Sequence, residues 1–178
     1  MQAANELLDL QPAAIEHIDR PLFEQTRGQR EFQAVRDLLE LDARPCEAIL
    51  IVEFFEGARA RLAAMGKRRL GLRKRILQTE AEANLVWALR KAGLSLLMSR
   101  KGDAKPVSFT EDCAVRLDDL ADYTERLNEI FARHGTKGTW YAHASVGCLH
   151  VRPVLNMKDP VDVATMRAVA EEAFALVR

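Results

Sequence analysis

Apolar positions along the chain fall into two rhythms, a period near two and a period near 3.6, and their alternation predicts strands interleaved with helices. Residues 5–11 read as a short helix and 13–18 as a short strand. Residues 21–41 read as helical, with polar side chains covering one face. The run 48–55 is almost continuously apolar, the mark of a strand covered on both faces or lying at the centre of a sheet. An alanine-rich helix follows over 57–65. Thr79-Glu-Ala-Glu82 is a capping box that opens an apolar helix reaching about residue 98. Residues 106–115 read as strand. Leu117, Leu120, Leu127, Ile130 and Phe131 then define a helix closed by Gly135. Residues 139–155 form one long strand. Asp159-Pro160 caps a last helix whose core stripe is Val163, Met166, Ala170, Phe174 and Val177. This order predicts an α+β fold: a two-layer sandwich of an antiparallel or mixed sheet with helices on one face. No glycine-rich loop follows a strand, so nothing in the pattern supports a nucleotide-phosphate cradle.

Composition narrows the class. The chain has 178 residues, 48% hydrophobic and 29% charged, enough for one domain with its own core. Its 26 basic and 26 acidic residues cancel, so no overall field draws it to nucleic acid or to a membrane surface. No apolar run is long enough to span a bilayer, and the start does not read as a signal peptide. Cys46, Cys113 and Cys148 are far apart and form no Cys-x-x-Cys pair, which fits a reducing, cytoplasmic setting. The basic run Lys67-Arg-Arg-Leu-Gly-Leu-Arg-Lys-Arg75 lacks interleaved aromatics, so it reads as a solvated edge or a docking surface.

The chemistry concentrates in the last predicted strand. His143 and His150 lie seven residues apart, an odd spacing that puts their rings on opposite faces of a straight strand. They converge only if the chain bends around residues 144–147, and Gly147 is the residue that permits it. Converging imidazoles suit a divalent metal or an anionic, proton-exchanging substrate. The alternative is one core histidine and one surface histidine. Cys148, between them, is a soft donor or a small packing residue. His17 and His134 are isolated, the latter at a helix C-terminus, where a cation suits the dipole.

The segment His143-Ala-Ser-Val-Gly-Cys-Leu-His150 resembles the His-x-Gly-Asp-Gly-Asn-Leu-His signature of the cap domain of FAD-linked oxidases of the D-lactate, glycolate and D-2-hydroxyglutarate dehydrogenase type. Both histidines, Gly147 and Leu149 match. Ser145, Val146 and Cys148 stand where Gly, Asp and Asn are usual, as in a branch of large flavin and iron–sulfur oxidoreductases with a following Leu-His-Val-Arg-Pro run. The resemblance implies a ferredoxin-like α+β cap domain, with His143 and His150 as catalytic residues and metal ligands. The divalent ion would be zinc, manganese or iron. Arg90, in Trp87-Ala-Leu-Arg-Lys91, matches the family's substrate-carboxylate arginine, and Lys105 is a candidate for a second carboxylate.

The same resemblance implies a piece of a longer enzyme. FAD would be bound by an absent flavin domain, the partner of this one in the same chain, and an iron–sulfur cluster would lie elsewhere. By itself the piece would turn nothing over. Its substrate would be a small 2-hydroxy acid oxidised to the 2-oxo acid. A competing reading is a stand-alone α+β binding module without catalysis, favoured if the histidines face apart.

Overall fold

A computed structural model describes residues 2–177; Met1 and Arg178, including the arginine at which the sequence ends, lie outside the described residues. In chain order the elements are α1 (Gln2–Asn5), β1 (Ala14–Asp19), α2 (Arg20–Glu24), α3 (Gln33–Leu38), β2 (Ala48–Glu53) and α4 (Ala58–Lys67). They continue with α5 (Glu80–Lys91), α6 (Gly93–Met98), β3 (Lys105–Pro106), β4 (Cys113–Ala114) and α7 (Leu120–Arg133). β5 (Gly138–His143), β6 (Cys148–Leu155) and α8 (Pro160–Val177) close the chain. The six strands form one open sheet in the order β2-β1-β5-β6-β3, with β4 also paired to β6. Every pairing among the described residues is antiparallel. The predicted α+β sandwich on an antiparallel sheet is therefore what forms, with helices packed on both faces of the sheet and not on one.

The pleat sorts side chains to two faces. Ile15, Trp140, Ala142, Leu149 and Val151 pack with Leu127, Phe131, Val169 and Ala173 of α7 and α8. Ile18, Ile51 and Tyr141 point the other way and pack with Leu22, Val35, Val86 and Leu96 of α2, α3, α5 and α6. β2 thus touches apolar neighbours on both sides, Leu50 and Val52 in the first group and Ile49 and Ile51 in the second. That accounts for its continuous apolar run, although the strand stands at the edge of the sheet and not at its centre.

Several predicted elements are interrupted, each for a local reason. The helix read over 21–41 is two short helices, with Gly28 at φ 77° and a 3-10 turn at Arg30–Phe32 between them. Buried Arg36 bridges the break, donating to the Phe23 carbonyl, the Thr26 hydroxyl and Asp42. The capping box forms as predicted: the Thr79 hydroxyl accepts from Glu82 N–H, and the Glu82 carboxylate accepts from Thr79 N–H. Its helix breaks at Ala92–Gly93, where a Cβ on Gly93 would sit 3.0 Å from Leu22 Cδ1.

Among the described residues the segment read as one strand over 106–115 forms two short strand pairings with β6, at Lys105–Pro106 and Cys113–Ala114. Between these contacts the chain bulges, with Asp112 at φ 60°. The single strand read over 139–155 is a hairpin: a 3-10 turn at Ala144–Val146 and Gly147 at φ 69° reverse the chain. The last helix is rotated from its predicted stripe. Val169 and Ala173 are its buried residues, while Val163, Phe174 and Val177 are exposed. Its start is as read, with Asp159 Oδ1 accepting from Val161 N–H.

Candidate functional site

The hairpin brings the two histidines together. Its register sets His143 opposite Cys148 and Tyr141 opposite His150. Tyr141 and His143 are two residues apart on β5, so both histidines lie on one face despite their odd spacing. Their ring centroids are 5.1 Å apart and nearly perpendicular, at 82°. Gly147 makes the turn possible twice over. Its φ is positive, and a Cβ there would lie 2.2 Å from the Val115 carbonyl oxygen.

Each imidazole is held by a carboxylate. His143 Nδ1 is 2.7 Å from Glu16 Oε1, directly across the β1–β5 pairing. His150 Nδ1 is 2.8 Å from Asp112 Oδ1, brought in by the bulge. A carboxylate only accepts, so Glu16 fixes the His143 proton on Nδ1 and leaves Nε2 as the ring's free nitrogen. Glu16 also binds Arg90: Oε2 accepts from Nε at 2.8 Å and lies 2.7 Å from Nη2. Glu16 and Arg90 are both nearly shut off from solvent, at 8% and 11% side-chain exposure. No carboxylate lies one helical turn from Arg90 in sequence; its partner comes from β1, 74 positions away. Among the described residues Arg90 Nη1 has no hydrogen-bond partner, so one edge of the guanidinium stays available.

Tyr141 lies at the middle of this group. His150 stacks on its ring at 4.8 Å, Arg90 lies 4.9 Å from the ring centroid and Arg152 5.9 Å. Burial raises the Tyr141 phenol above its ordinary range. Arg152 is paired through Nε and Nη2 with the Glu111 carboxylate. Burial opposes ionisation of Glu111, but hydrogen bonds from Arg152 and Ser108 outweigh it and lower its pKa. Asp112, Cys148 and His150 present donor atoms that all lie within 4.8 Å of one another. Burial, then the nearby Asp112, raises the Cys148 thiol. A hard oxygen, an imidazole and a sulfur in so small a space are a donor set that fits a divalent ion.

The structure thus gathers His143, His150 and Arg90 on one face of the sheet. Lys105 stands apart, opposite Leu155 on β3, and its ammonium donates to the Arg100 carbonyl. Five residues along β6 separate Leu155 from His150, roughly 17 Å of strand.

The other groups singled out in the sequence have local partners or lie elsewhere. The basic run is spent largely on its own chain. Arg68 pairs with Asp9 and Arg75 with Glu82, while Arg73 and Lys74 donate to backbone carbonyls. His134 caps α7 and reaches Glu172 on α8 at 2.6 Å. His17 faces the α7–α8 side, and among the described residues its buried Nδ1 has no hydrogen-bond partner. Sequence reasoning missed Glu16, Glu111, Asp112, Tyr141 and Arg152. The signal for Glu16 was a carboxylate on the same face as Ile18 in a short apolar strand; Asp112 gave none, because its position depends on the bulge.

The pattern of a known family, FAD linked oxidases, C-terminal domain, matches residues 1–178. A D-2-hydroxyglutarate dehydrogenase of Pseudomonas putida is 30% identical over 192 aligned positions, covering all of this chain and 19% of that protein. Proteins of the same name from Escherichia coli and Pantoea ananatis are 37% and 38% identical over 91 residues, 51% of this chain and 9% of each relative. The chain therefore spans about a fifth or less of the length of these relatives. Among the described residues no helix is long and apolar enough to cross a membrane.

Proposed function

Because the chain belongs to the family of FAD-linked oxidase C-terminal domains, we propose that it is the substrate- and metal-binding cap domain of a larger flavoprotein that oxidises a D-2-hydroxy acid to the 2-oxo acid. D-2-hydroxyglutarate is the substrate that the similar proteins' names favour. The observation that carries the reading is the bridge through Glu16, which fixes a carboxylate-binding guanidinium and an imidazole relative to each other.

Arg90 takes the carboxylate beside the reacting carbon, on the edge that Glu16 leaves open. His143 and His150 turn their remaining ring nitrogens to the α-hydroxyl and the same carboxylate, or to a divalent ion beside them. Oxidation removes two electrons and two protons' worth of hydrogen: the hydroxyl proton leaves to a base, and Cα–H leaves with its electron pair. Bound at these side chains, a divalent ion would lower the hydroxyl pKa, and flavin would accept the hydride. Arg152, the second cation beside Tyr141, would meet the distal carboxylate of a dicarboxylic hydroxy acid. FAD would be held by parts of the parent protein outside this domain, since no glycine-rich phosphate loop is present in the sequence. The three cysteines are free thiols, in keeping with a cytoplasmic enzyme.

The convergence of the histidines beside Arg90 favours this reading over a non-catalytic binding module. His143→Ala and His150→Ala, each placed in the intact flavoprotein, test it. Turnover should be lost while bound flavin, read from its visible absorption, stays at the unsubstituted level. Full activity in either variant would remove the site.

A further inference from the structure

The proposed metal needs more protein donors than two imidazoles, and the turn end of the β5–β6 hairpin offers them. Cys148 and His150 are two residues apart on β6, so the pleat sends both to the face that carries His143. Cys148 is directly opposite His143. Asp112 arrives from the bulge, whose backbone N–H is tied to the Leu149 carbonyl at 3.1 Å. The ligand atoms of Asp112, Cys148 and His150 lie within 4.8 Å of one another, close enough for a small side-chain adjustment to bring them around one ion. Cys113, the neighbouring cysteine, is paired with Leu149 and packs with the opposite face, so its sulfur is no rival donor.

We infer that Cys148 is a thiolate ligand of the metal, adding sulfur to a site shared by His143, His150 and Asp112. This inference rests on the metal-binding reading above and adds a sulfur ligand to it. A soft sulfur beside imidazole and carboxylate selects zinc over magnesium or calcium, which take oxygen ligands. On binding, the thiol gives up its proton to solvent and the sulfur bonds the ion, so one proton is released for each sulfur ligated.

Cobalt(II), added to the 178-residue chain as a coloured substitute for zinc, is the test. The expected result is one cobalt per chain, with visible bands of a bound ion and a near-ultraviolet sulfur-to-cobalt charge-transfer band. That band should vanish in Cys148→Ala and Cys148→Ser, persist in Cys113→Ala, and be displaced by zinc. Zinc affinity should fall roughly tenfold or more in Cys148→Ala. Visible bands without the charge-transfer band in the unsubstituted chain would overturn the Cys148 assignment and leave the metal reading standing. No cobalt binding at all would overturn both. Absence of the charge-transfer band from the unsubstituted chain refutes the assignment by itself, whether or not a cysteine variant folds well.

Discussion

Removing Glu16 should damage stability and metal binding together, because one carboxylate serves both Arg90 and His143. The Glu16–Arg90 pair is buried, with side-chain exposures of 8% and 11%. Deleting one partner of such a pair strands the other charge away from water, at a cost of about 3–5 kcal/mol. For a domain of this size that corresponds to a fall of roughly 10 °C in Tm. Glu16→Gln keeps an acceptor for Arg90 and should lose about half as much. In both variants His143 loses the carboxylate that fixes its ring, so zinc affinity should drop roughly 10- to 100-fold.

The double variant Glu16→Ala/Arg90→Met separates charge stranding from simple loss of packing. With no unpaired guanidinium left, it should be more stable than Glu16→Ala alone. Urea unfolding curves and zinc titration calorimetry on the parent, Glu16→Ala, Glu16→Gln, Arg90→Met and the double variant supply every number needed. A Glu16→Ala variant within 1 kcal/mol of the parent, or a double variant that loses the plain sum of the two single changes, would refute the bridging role.

Other consequences follow from single residues. Burial pushes His17 down to about 4, so its neutral ring adds stability above 6.5 that is lost as pH falls through about 4, roughly 3 kcal/mol at most; His17→Gln should remove this loss in urea unfolding at stepped pH. Burial outweighs the backbone N–H groups on Asp19 and raises it to about 6. Its contribution is therefore complete below 3.8 and lost as pH rises through about 6, and Asp19→Asn should unmask the opposite slope in the same experiment. Gly147→Ala, with its Cβ driven into the Val115 carbonyl and φ at 69°, should cost about 2 kcal/mol or more and lower Tm. Unchanged melting would mean that the hairpin does not turn there. Arg152→Met in the intact enzyme should raise KM for D-2-hydroxyglutarate about tenfold or more while leaving KM for D-lactate unchanged. Equal effects on both substrates would show that Arg152 does not meet the distal carboxylate.

Much of the fold was legible because it follows from periodicity and caps. The capping box at Thr79, the apolar stripe of α7 and the glycine that ends it all stand where local chemistry puts them. What failed to show in the sequence depended on contacts between distant segments. Strand order is one case: an apolar run such as β2 is produced equally by central position and by an edge with two apolar coverings. The rotation of α8 is another. Its sequence is apolar on more than one side, and packing on α7 selects Val169 and Ala173. At the site the histidines and Arg90 stood out, as did the bend at Gly147 needed to join the histidines. The carboxylates that hold them did not, because Glu16 and Arg90 meet across 74 positions and Asp112 acts from a bulge that the residues 106–115 do not announce.

The most direct test of the central claim is the visible spectrum of the intact flavoprotein carrying this domain, recorded without oxygen before and after D-2-hydroxyglutarate, D-lactate and glycolate in turn. The account predicts a flavin band that D-2-hydroxyglutarate bleaches, as hydride from its Cα reduces the ring. A protein with no flavin band, or a flavin that none of the three hydroxy acids reduces, would contradict it.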